Sequence, residues 1–272
     1  SASNFSSEHF GPGWAWDDYE SSYSAERSPL PIYGNLLLIK GTGRKVTTEP
    51  PFLQKNLILA NQSQKASATR ERDSNTFVVN PAYNERFEFN IPFKVDPTLT
   101  CQLLADTLKR SVQYIDMALN REAKQIFSLP TDSLYRVLME DSDNFIAEQL
   151  LLLCSGIIGD TLNPERAIQY VMNTHLSNLP DKPVWVDGSG LSRYNLLTPR
   201  SVVFLWNKIY SLVPKERLFG MLATGGKSGT IRNWYNGDGD KPYIFGKTGT
   251  LRHNHCLSGY LVSKSGKTLI FS

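Results

Sequence analysis

The sequence lacks the features that mark membrane-spanning, nucleic-acid-binding or disulfide-stabilised proteins. No run approaches about 18 apolar residues, so no membrane-spanning helix is predicted. The formal net charge is only +3, whereas nucleic-acid binding usually needs a concentrated basic face, so we predict no nucleic-acid partner. The three cysteines, Cys101, Cys154 and Cys256, are widely spaced, which predicts neither a metal site nor a disulfide framework. Their apolar neighbours favour buried structural thiols.

Clusters of metal ligands are also lacking. The histidines are His9, His175, His253 and His255. His253 and His255 could share one face of a strand, but no carboxylate or cysteine cluster accompanies them. We therefore predict no metal and no cofactor, and we expect a pocket-lining or structural role for these two histidines.

The length of the chain limits the number of domains it can form. Its 272 residues, 40% of them hydrophobic, suffice for one large domain or for one domain with a small insertion. Position 1 is Ser rather than Met, and residues 268–272 resemble a strand that stops partway. We therefore expect a piece of a longer polypeptide, truncated at both ends.

Hydrophobic periodicity divides the chain into three parts, 1–40, 41–97 and 98–272. The outer two are predicted to form one domain, and the middle one a small inserted β domain. Helices followed by an antiparallel meander predict an α/β (α+β) fold in which helices pack on the faces of a sheet. The predicted strands are 35–40, ended by the glycines at 41 and 43, then 57–60, 76–79, 86–91, 243–251, 255–262 and 267–271, with 61–75 as a loop. Two predicted helices begin near residues 97 and 164, and three others cover residues 133–139, 145–154 and 199–212.

The run Lys247-Thr248-Gly249-Thr250 stands at the end of a predicted strand. A lysine followed by Thr-Gly-Thr can present ammonium and hydroxyl groups to a carboxylate, and Gly249 lets a ligand backbone approach the strand closely. The strand could also pair with an extended peptide through main-chain hydrogen bonds. The structural alternative is an exposed hairpin strand in which the tripeptide occurs by chance.

The run Ser142-Asp143-Asn144 interrupts a helical pattern. A serine hydroxyl can relay a proton, and an amide two residues later can hold a substrate carbonyl. The structural alternative is a helix cap provided by Ser142 or Asp143. With the lysine motif on a strand and this motif on a turn between helices, the chain carries two of the three signature elements of penicillin-recognising serine enzymes.

Three lookalike patterns are excluded by their spacing. Gly246-Lys247-Thr248 and Gly226-Lys227-Ser228 resemble the end of a phosphate-binding loop, but neither has the required glycine five residues earlier. Gly188-Ser189-Gly190 is too tightly spaced for a G-x-S-x-G nucleophile elbow, so this stretch is predicted to be a loop before a helix.

Several segments together resemble the low-molecular-mass class C penicillin-binding proteins, the S13 family of D-alanyl-D-alanine carboxypeptidases. The matching segments are GPGWAWDD, YSAERSPL, EDSDNFIAE, VDGSGLSRYN, TGGKSGTIR and FGKTGT, in the order of the family. The resemblance implies a β-lactamase/transpeptidase-like fold with an inserted β domain. It also implies acyl transfer on peptidoglycan stem peptides that end in D-Ala-D-Ala, binding of β-lactams, and a periplasmic or extracytoplasmic location.

The resemblance also implies residue roles. Ser142 would pass a proton to the leaving amine, Asn144 would hold the acyl side of the substrate, and Lys247 would supply positive charge beside Ser142 and the substrate carboxylate. Thr248 and Thr250 would bind the substrate carboxylate. The backbone N–H of Thr250 would form half of an oxyanion hole, a donor typically worth about 3–4 kcal/mol in the transition state.

One element of the family signature is missing from the chain. The nucleophile comes from Ser-x-x-Lys, and no serine here has lysine three residues later. The nearest substitutes are Ser133-x-x-Arg136, whose arginine does not deprotonate, and Thr224-x-x-Lys227 in a glycine turn. In the family this element precedes the GWAWDD segment, so we expect it in a missing N-terminal segment of the same protein, and we expect this chain alone to be inactive.

Two other functions stay open at this point. A peptidoglycan-binding relative could keep the groove and have lost catalysis. A serine β-lactamase would share both motifs, but it would carry Ser-x-x-Lys shortly before Ser142, where this chain has none.

Overall fold

A computed structural model describes residues 2–118, 126–239 and 241–272 of the chain. Its contacts divide the chain into two compact units. Unit 1 comprises residues 1–10, 14–121 and 159–163, and unit 2 comprises residues 11–13, 122–158 and 164–272. Both candidate motifs belong to unit 2.

The described residues form six α-helices and ten β-strands. The helices are α1 (Pro97–Leu108), α2 (Thr131–Glu140), α3 (Asn144–Gly159), α4 (Pro164–Thr174), α5 (Pro199–Leu212) and α6 (Lys215–Phe219). The strands are β1 (Leu36–Thr42), β2 (Lys45–Glu49), β3 (Leu57–Leu59), β4 (Ser67–Arg70), β5 (Phe77–Asn80), β6 (Arg86–Pro92), β7 (Ala223–Thr224), β8 (Ile244–Leu251), β9 (Asn254–Val262) and β10 (Thr268–Phe271).

Unit 1 is built on two three-stranded sheets, ordered β2-β1-β6 and β3-β5-β4. Its core joins both sheets to α1, and it includes the fully buried side chains of Leu37, Phe77 and Leu103. Helix α1 starts where the Asp96 carboxylate accepts a hydrogen bond from the Leu99 amide at 2.8 Å, a standard N-cap.

Unit 2 contains a four-stranded antiparallel sheet ordered β10-β9-β8-β7. Helices α5 and α6 pack on one face of this sheet through Trp206, Leu218 and Tyr260. The Trp206 indole also donates to the Ser258 hydroxyl at 2.9 Å, and the Tyr260 hydroxyl donates back to the Trp206 carbonyl at 2.8 Å. These two bonds fix α5 against β9, the neighbour of the strand that carries Lys247.

The outer edge of β8 is paired along only part of its length. Strand β7 contacts β8 at Phe245 and Gly246, whereas β9 pairs with β8 from Ile244 to Leu251. Among the described strands, none pairs with the other edge of residues 247–251. The segment Lys247-Thr248-Gly249-Thr250 therefore has one edge that no described strand covers.

The predicted α+β class, with helices packed on an antiparallel sheet, is confirmed. The predicted helix 199–212 matches α5, and Pro164 opens α4 as expected. The domain bounds 1–40, 41–97 and 98–272 stay a prediction. No helix within the described ranges is both long and apolar enough to cross a membrane.

Two details of the predicted strands are wrong. Strand β1 continues through Gly41, because this residue pairs with β2 on one side and with β6 on the other. The predicted loop 61–75 contains β4, whose Arg70 is 3% exposed and donates to the carbonyls of the turn that follows it. The polar residues in that stretch do not show the alternation of hydrophobic residues by which a strand is predicted.

The prediction of buried cysteines is also wrong. Cys154 and Cys256 are exposed, and Cys101 is of intermediate exposure. Cys256 lies on β9 opposite Gly249, near the unpaired edge of β8.

The close approach of β8 and β9 depends on Gly259. This residue has φ +148° and faces Gly246, and a Cβ on it would lie 2.2 Å from the carbonyl oxygen of Phe245. We expect Gly259→Ala to destabilise the protein by more than Gly266→Ala, measured by urea unfolding. Gly266 (φ +82°) has open space around it, so its variant carries only the cost of positive φ, about 1–2 kcal/mol. Equal losses in the two variants would contradict the close-packing argument.

Candidate active site

The Ser-Asp-Asn motif forms the turn between α2 and α3. The Asp143 carboxylate accepts a hydrogen bond from the Ile146 amide at 2.8 Å, so Asp143 rather than Ser142 caps α3. Ser142 has φ +62°, a left-handed conformation that costs a non-glycine residue about 1–3 kcal/mol. The cap thus leaves the Ser142 hydroxyl available for another partner.

That partner is the side chain of Lys247 on β8. The ammonium donates a hydrogen bond to Ser142 Oγ and a second one, at 2.7 Å, to the Thr248 carbonyl. The contact joins the two motifs that the sequence predicts to act together. It places a positive charge and a hydroxyl group side by side at the unpaired edge of the strand.

The Lys247 ammonium is held in partly dehydrated surroundings. Burial lowers the pKa of Lys247, and the nearby Cys256 thiol acts in the opposite direction. Desolvation disfavours the charged form of a buried lysine. An ammonium with a lowered pKa gives up a proton more readily than an exposed lysine does.

Thr248 faces a different part of unit 2. Its hydroxyl donates to the Thr230 hydroxyl at 2.7 Å, and Thr248 is only 7% exposed. Thr230 lies in a single 3-10 turn, Gly229–Ile231, whose neighbour Ser228 donates to the Glu140 carboxylate at the end of α2. The sequence did not predict Thr230 as a site residue. Its only indication of such a role is that Thr230 belongs to the TGGKSGTIR segment.

The remaining predicted residues lie around this contact. Asn144 is the first residue of α3, directly after the Ser142 turn. Gly249 lies opposite Cys256, and a Cβ on Gly249 would lie 2.8 Å from the cysteine sulfur. Thr250 is exposed, and its hydroxyl lies 2.8 Å from Nδ1 of His255 on β9.

The predicted loop at VDGSGLSRYN is confirmed and lies against the start of α3. The buried Asp187 carboxylate accepts from the amides of Gly190 and Ser192 at 2.8 and 2.7 Å. The buried Glu148 carboxylate, on α3, accepts from the Ser189 amide at 2.7 Å. These bonds hold the loop on the helix that begins with Asn144.

The two weak substitutes for a nucleophile have structural roles. The Arg136 guanidinium donates to the Gly220 carbonyl at 3.1 Å. Lys227 closes a turn through its amide, which donates to the Thr224 carbonyl at 3.0 Å. Within the described residues, no group of three or more His, Cys, Asp or Glu side chains could hold a metal ion.

The fold is that of a transpeptidase-like protein. The chain superimposes on the crystal structure of penicillin binding protein 4 (dacB) from Haemophilus influenzae with a TM-score of 0.75 and 20% identity. The match covers 100% of this chain and 66% of that one. A crystal structure of the same protein complexed with a novel β-lactam matches with a TM-score of 0.67 and 18% identity, over 92% of this chain and 64% of that one. This likeness confirms the predicted transpeptidase-like fold.

The chain belongs to the D-Ala-D-Ala carboxypeptidase 3 (S13) family, whose family model matches residues 1–272. It is 24% identical to the D-alanyl-D-alanine carboxypeptidase DacB of Haemophilus influenzae, over 98% of this chain and 62% of that protein. It is 28% identical to the carboxypeptidase DacB of Mycolicibacterium smegmatis, over 54% of this chain and 34% of that protein. The chain thus spans about a third to three fifths of the length of these curated relatives.

The lowered pKa of Lys247 makes its charge a cost to stability at neutral pH. Between the lowered pKa and the usual lysine value of about 10.4, the unfolded chain binds more protons, so the free energy of unfolding rises with pH. We expect Lys247→Met to raise the unfolding temperature at pH 7, with a gain that shrinks toward pH ~10. The exposed Lys267, replaced in the same way, is the control and should show neither effect. A gain that stayed constant with pH would contradict the desolvation argument.

Proposed function

We propose that the protein is a serine DD-peptidase that cleaves peptidoglycan stem peptides ending in D-Ala-D-Ala through an acyl-enzyme, and that β-lactams acylate the same serine. The observation that carries the proposal is the hydrogen bond from the Lys247 ammonium to Ser142 Oγ. It brings the two motifs of a penicillin-recognising signature to one place in unit 2. Membership of the S13 family supports the same reaction class.

In the proposed reaction the oxygen of a nucleophilic serine attacks the carbonyl carbon of the penultimate D-Ala, and the hydroxyl proton of that serine passes to a lysine base. The bond to the nitrogen of the last D-Ala then breaks, and that nitrogen receives a proton from the Ser142 hydroxyl. The proton on the lysine base returns to Ser142, and the Lys247 ammonium, which contacts Ser142 Oγ, ends the step protonated as it began. Water then hydrolyses the ester and regenerates the serine. Such positioned proton transfer typically contributes about 10²–10⁴-fold in rate.

The substrate would lie along the unpaired edge of β8. An extended peptide can add there as a further strand, paired through main-chain hydrogen bonds. Asn144 would hold the acyl side of the peptide, and Gly249 would leave room for its backbone. Thr248 and Thr250 would bind the terminal carboxylate, and the Thr250 amide would donate to the oxyanion.

The nucleophile and its lysine base would come from a part of the protein outside these 272 residues. The chain has no Ser-x-x-Lys, and it covers 62% of the length of the Haemophilus influenzae relative. We propose that the complete protein acts in the periplasm or another extracytoplasmic compartment, where peptidoglycan is found. The missing pair predicts that the chain alone binds the substrate without turnover.

We expect Ser142→Ala to lower kcat/KM for D-Ala release about 10²–10⁴-fold, with little change in KM, because the hydroxyl acts in proton transfer. The assay uses the protein in the full length that its organism makes, with an acetylated D-Ala-D-Ala peptide as substrate. Ser211→Ala is the matched control, since the hydroxyl of this exposed serine on α5 donates to the Lys208 carbonyl of its own helix. Equal losses of binding and turnover in Ser142→Ala would count against the proton-relay role.

Mass spectrometry of the same protein separates the alternatives. N-terminal peptides that contain Ser-x-x-Lys, a covalent benzylpenicillin adduct on that serine and release of D-Ala would together support the peptidase. Binding with neither adduct nor release would make the protein a non-catalytic peptidoglycan-binding relative. Rapid hydrolysis of benzylpenicillin without release of D-Ala would make it a β-lactamase.

A further inference from the structure

The hydroxyl group of Thr250 forms a hydrogen bond with a histidine that has no part in the proposed reaction. The two residues are directly opposite each other on β8 and β9, and Thr250 Oγ1 lies 2.8 Å from His255 Nδ1. Both are exposed. The histidine therefore contacts a hydroxyl that the proposed function assigns to the substrate carboxylate.

The His255 ring is held from a third element. The indole of Trp234 packs edge-on against it, with ring centroids 5.7 Å apart and planes at 81°. Trp234 follows the turn that carries Thr230, and its amide donates to the Ile231 carbonyl at 3.0 Å. The turn that touches Thr248 through Thr230 thus also restrains the imidazole that touches Thr250.

The direction of the Thr250–His255 hydrogen bond decides what Thr250 can offer a ligand. When Nδ1 carries no proton, it accepts the hydroxyl proton of Thr250, and that proton is then committed to the ring. When Nδ1 carries a proton, the ring donates to Oγ1 and leaves the hydroxyl proton free. An ionised carboxylate only accepts hydrogen bonds, so it needs the second arrangement.

We propose that His255 is a positioning residue that tunes carboxylate recognition by setting the direction of the Thr250 hydroxyl. The inference rests on the proposed function and deepens it. Protonated His255 both frees the hydroxyl and adds a positive charge beside the carboxylate. Histidine is the side chain that ordinarily changes its charge between about pH 5 and 8, so preference for a free C-terminal carboxylate should fall over this range.

Other titratable or charged groups lie near the ring, and the experiment has to separate their effect from that of His255. On β8, β9 and the turn between them these side chains are Lys247, Arg252, His253, Cys256 and the buried Tyr260, and Trp234 brings no charge. A comparison of the wild type with a His255 variant cancels their shared contribution. His255→Phe keeps an aromatic ring against Trp234 and removes both ring nitrogens.

The test measures the Kd of acetyl-D-Ala-D-Ala and of its C-terminal amide from pH 5.5 to 8.5, by ligand-observed NMR on the full-length protein. For the wild type we expect the Kd of the carboxylate peptide to rise about tenfold with pH, the size of one hydrogen bond to a charged group. The Kd of the amide peptide should change little. In His255→Phe the rise should be lost, and binding of the carboxylate peptide at pH 5.5 should be weaker than in the wild type.

Two further variants test whether the effect comes from His255 acting on Thr250. His175→Phe is the control, because this histidine also packs edge-on against an aromatic ring, that of Tyr170 on α4, a helix that carries neither motif. It should leave the pH dependence unchanged. Thr250→Val should weaken carboxylate binding and reduce the pH dependence to the part that the charge of His255 contributes, and adding His255→Phe should remove that remaining part.

The outcomes separate this inference from the proposed function. The same rise in Kd with pH in the wild type and in His255→Phe would overturn the role of His255, even if the protein releases D-Ala. Loss of the rise in His255→Phe without any D-Ala release by the wild type would support the role of His255 and overturn the peptidase. Failure to bind either peptide at any pH would overturn both.

Discussion

The site depends on one partly buried charge, the ammonium of Lys247, which unit 2 has to keep close to Ser142. Burial of an ammonium is unfavourable unless polar groups replace its lost water, and here Ser142 Oγ and the Thr248 carbonyl do so. The cost appears as the lowered pKa of the side chain. The surrounding elements hold these two oxygen atoms close to the ammonium.

Each oxygen is fixed from a different direction. Ser142 is held in a left-handed turn because Asp143 caps α3 and so pins the residue before it. Thr248 belongs to β8, whose register with β9 runs over eight residue pairs and is locked to α5 by Trp206. A turn between two helices is thus brought to a strand edge by packing that lies entirely within unit 2.

The sequence predicted the parts of this site that depend on local pattern. Helix α5, the position of β8 and the break before α3 follow from periodicity and short polar residues. Thr230 and the His255 contact to Thr250 could not be predicted, because both depend on how distant segments fold against β8. Cys256 was expected to be buried because its neighbours are apolar, yet it lies exposed opposite Gly249.

The strand period explains why the four residues of the lysine motif divide their tasks. Successive side chains on a strand point to opposite faces, so Lys247 faces Ser142, while Thr248 and Thr250 share the other face. The proposed proton transfer and the proposed carboxylate recognition therefore occupy opposite faces of β8. A histidine can then act on the hydroxyl side without contact with the ammonium. This separation makes His255 a candidate for tuning recognition independently of the chemistry.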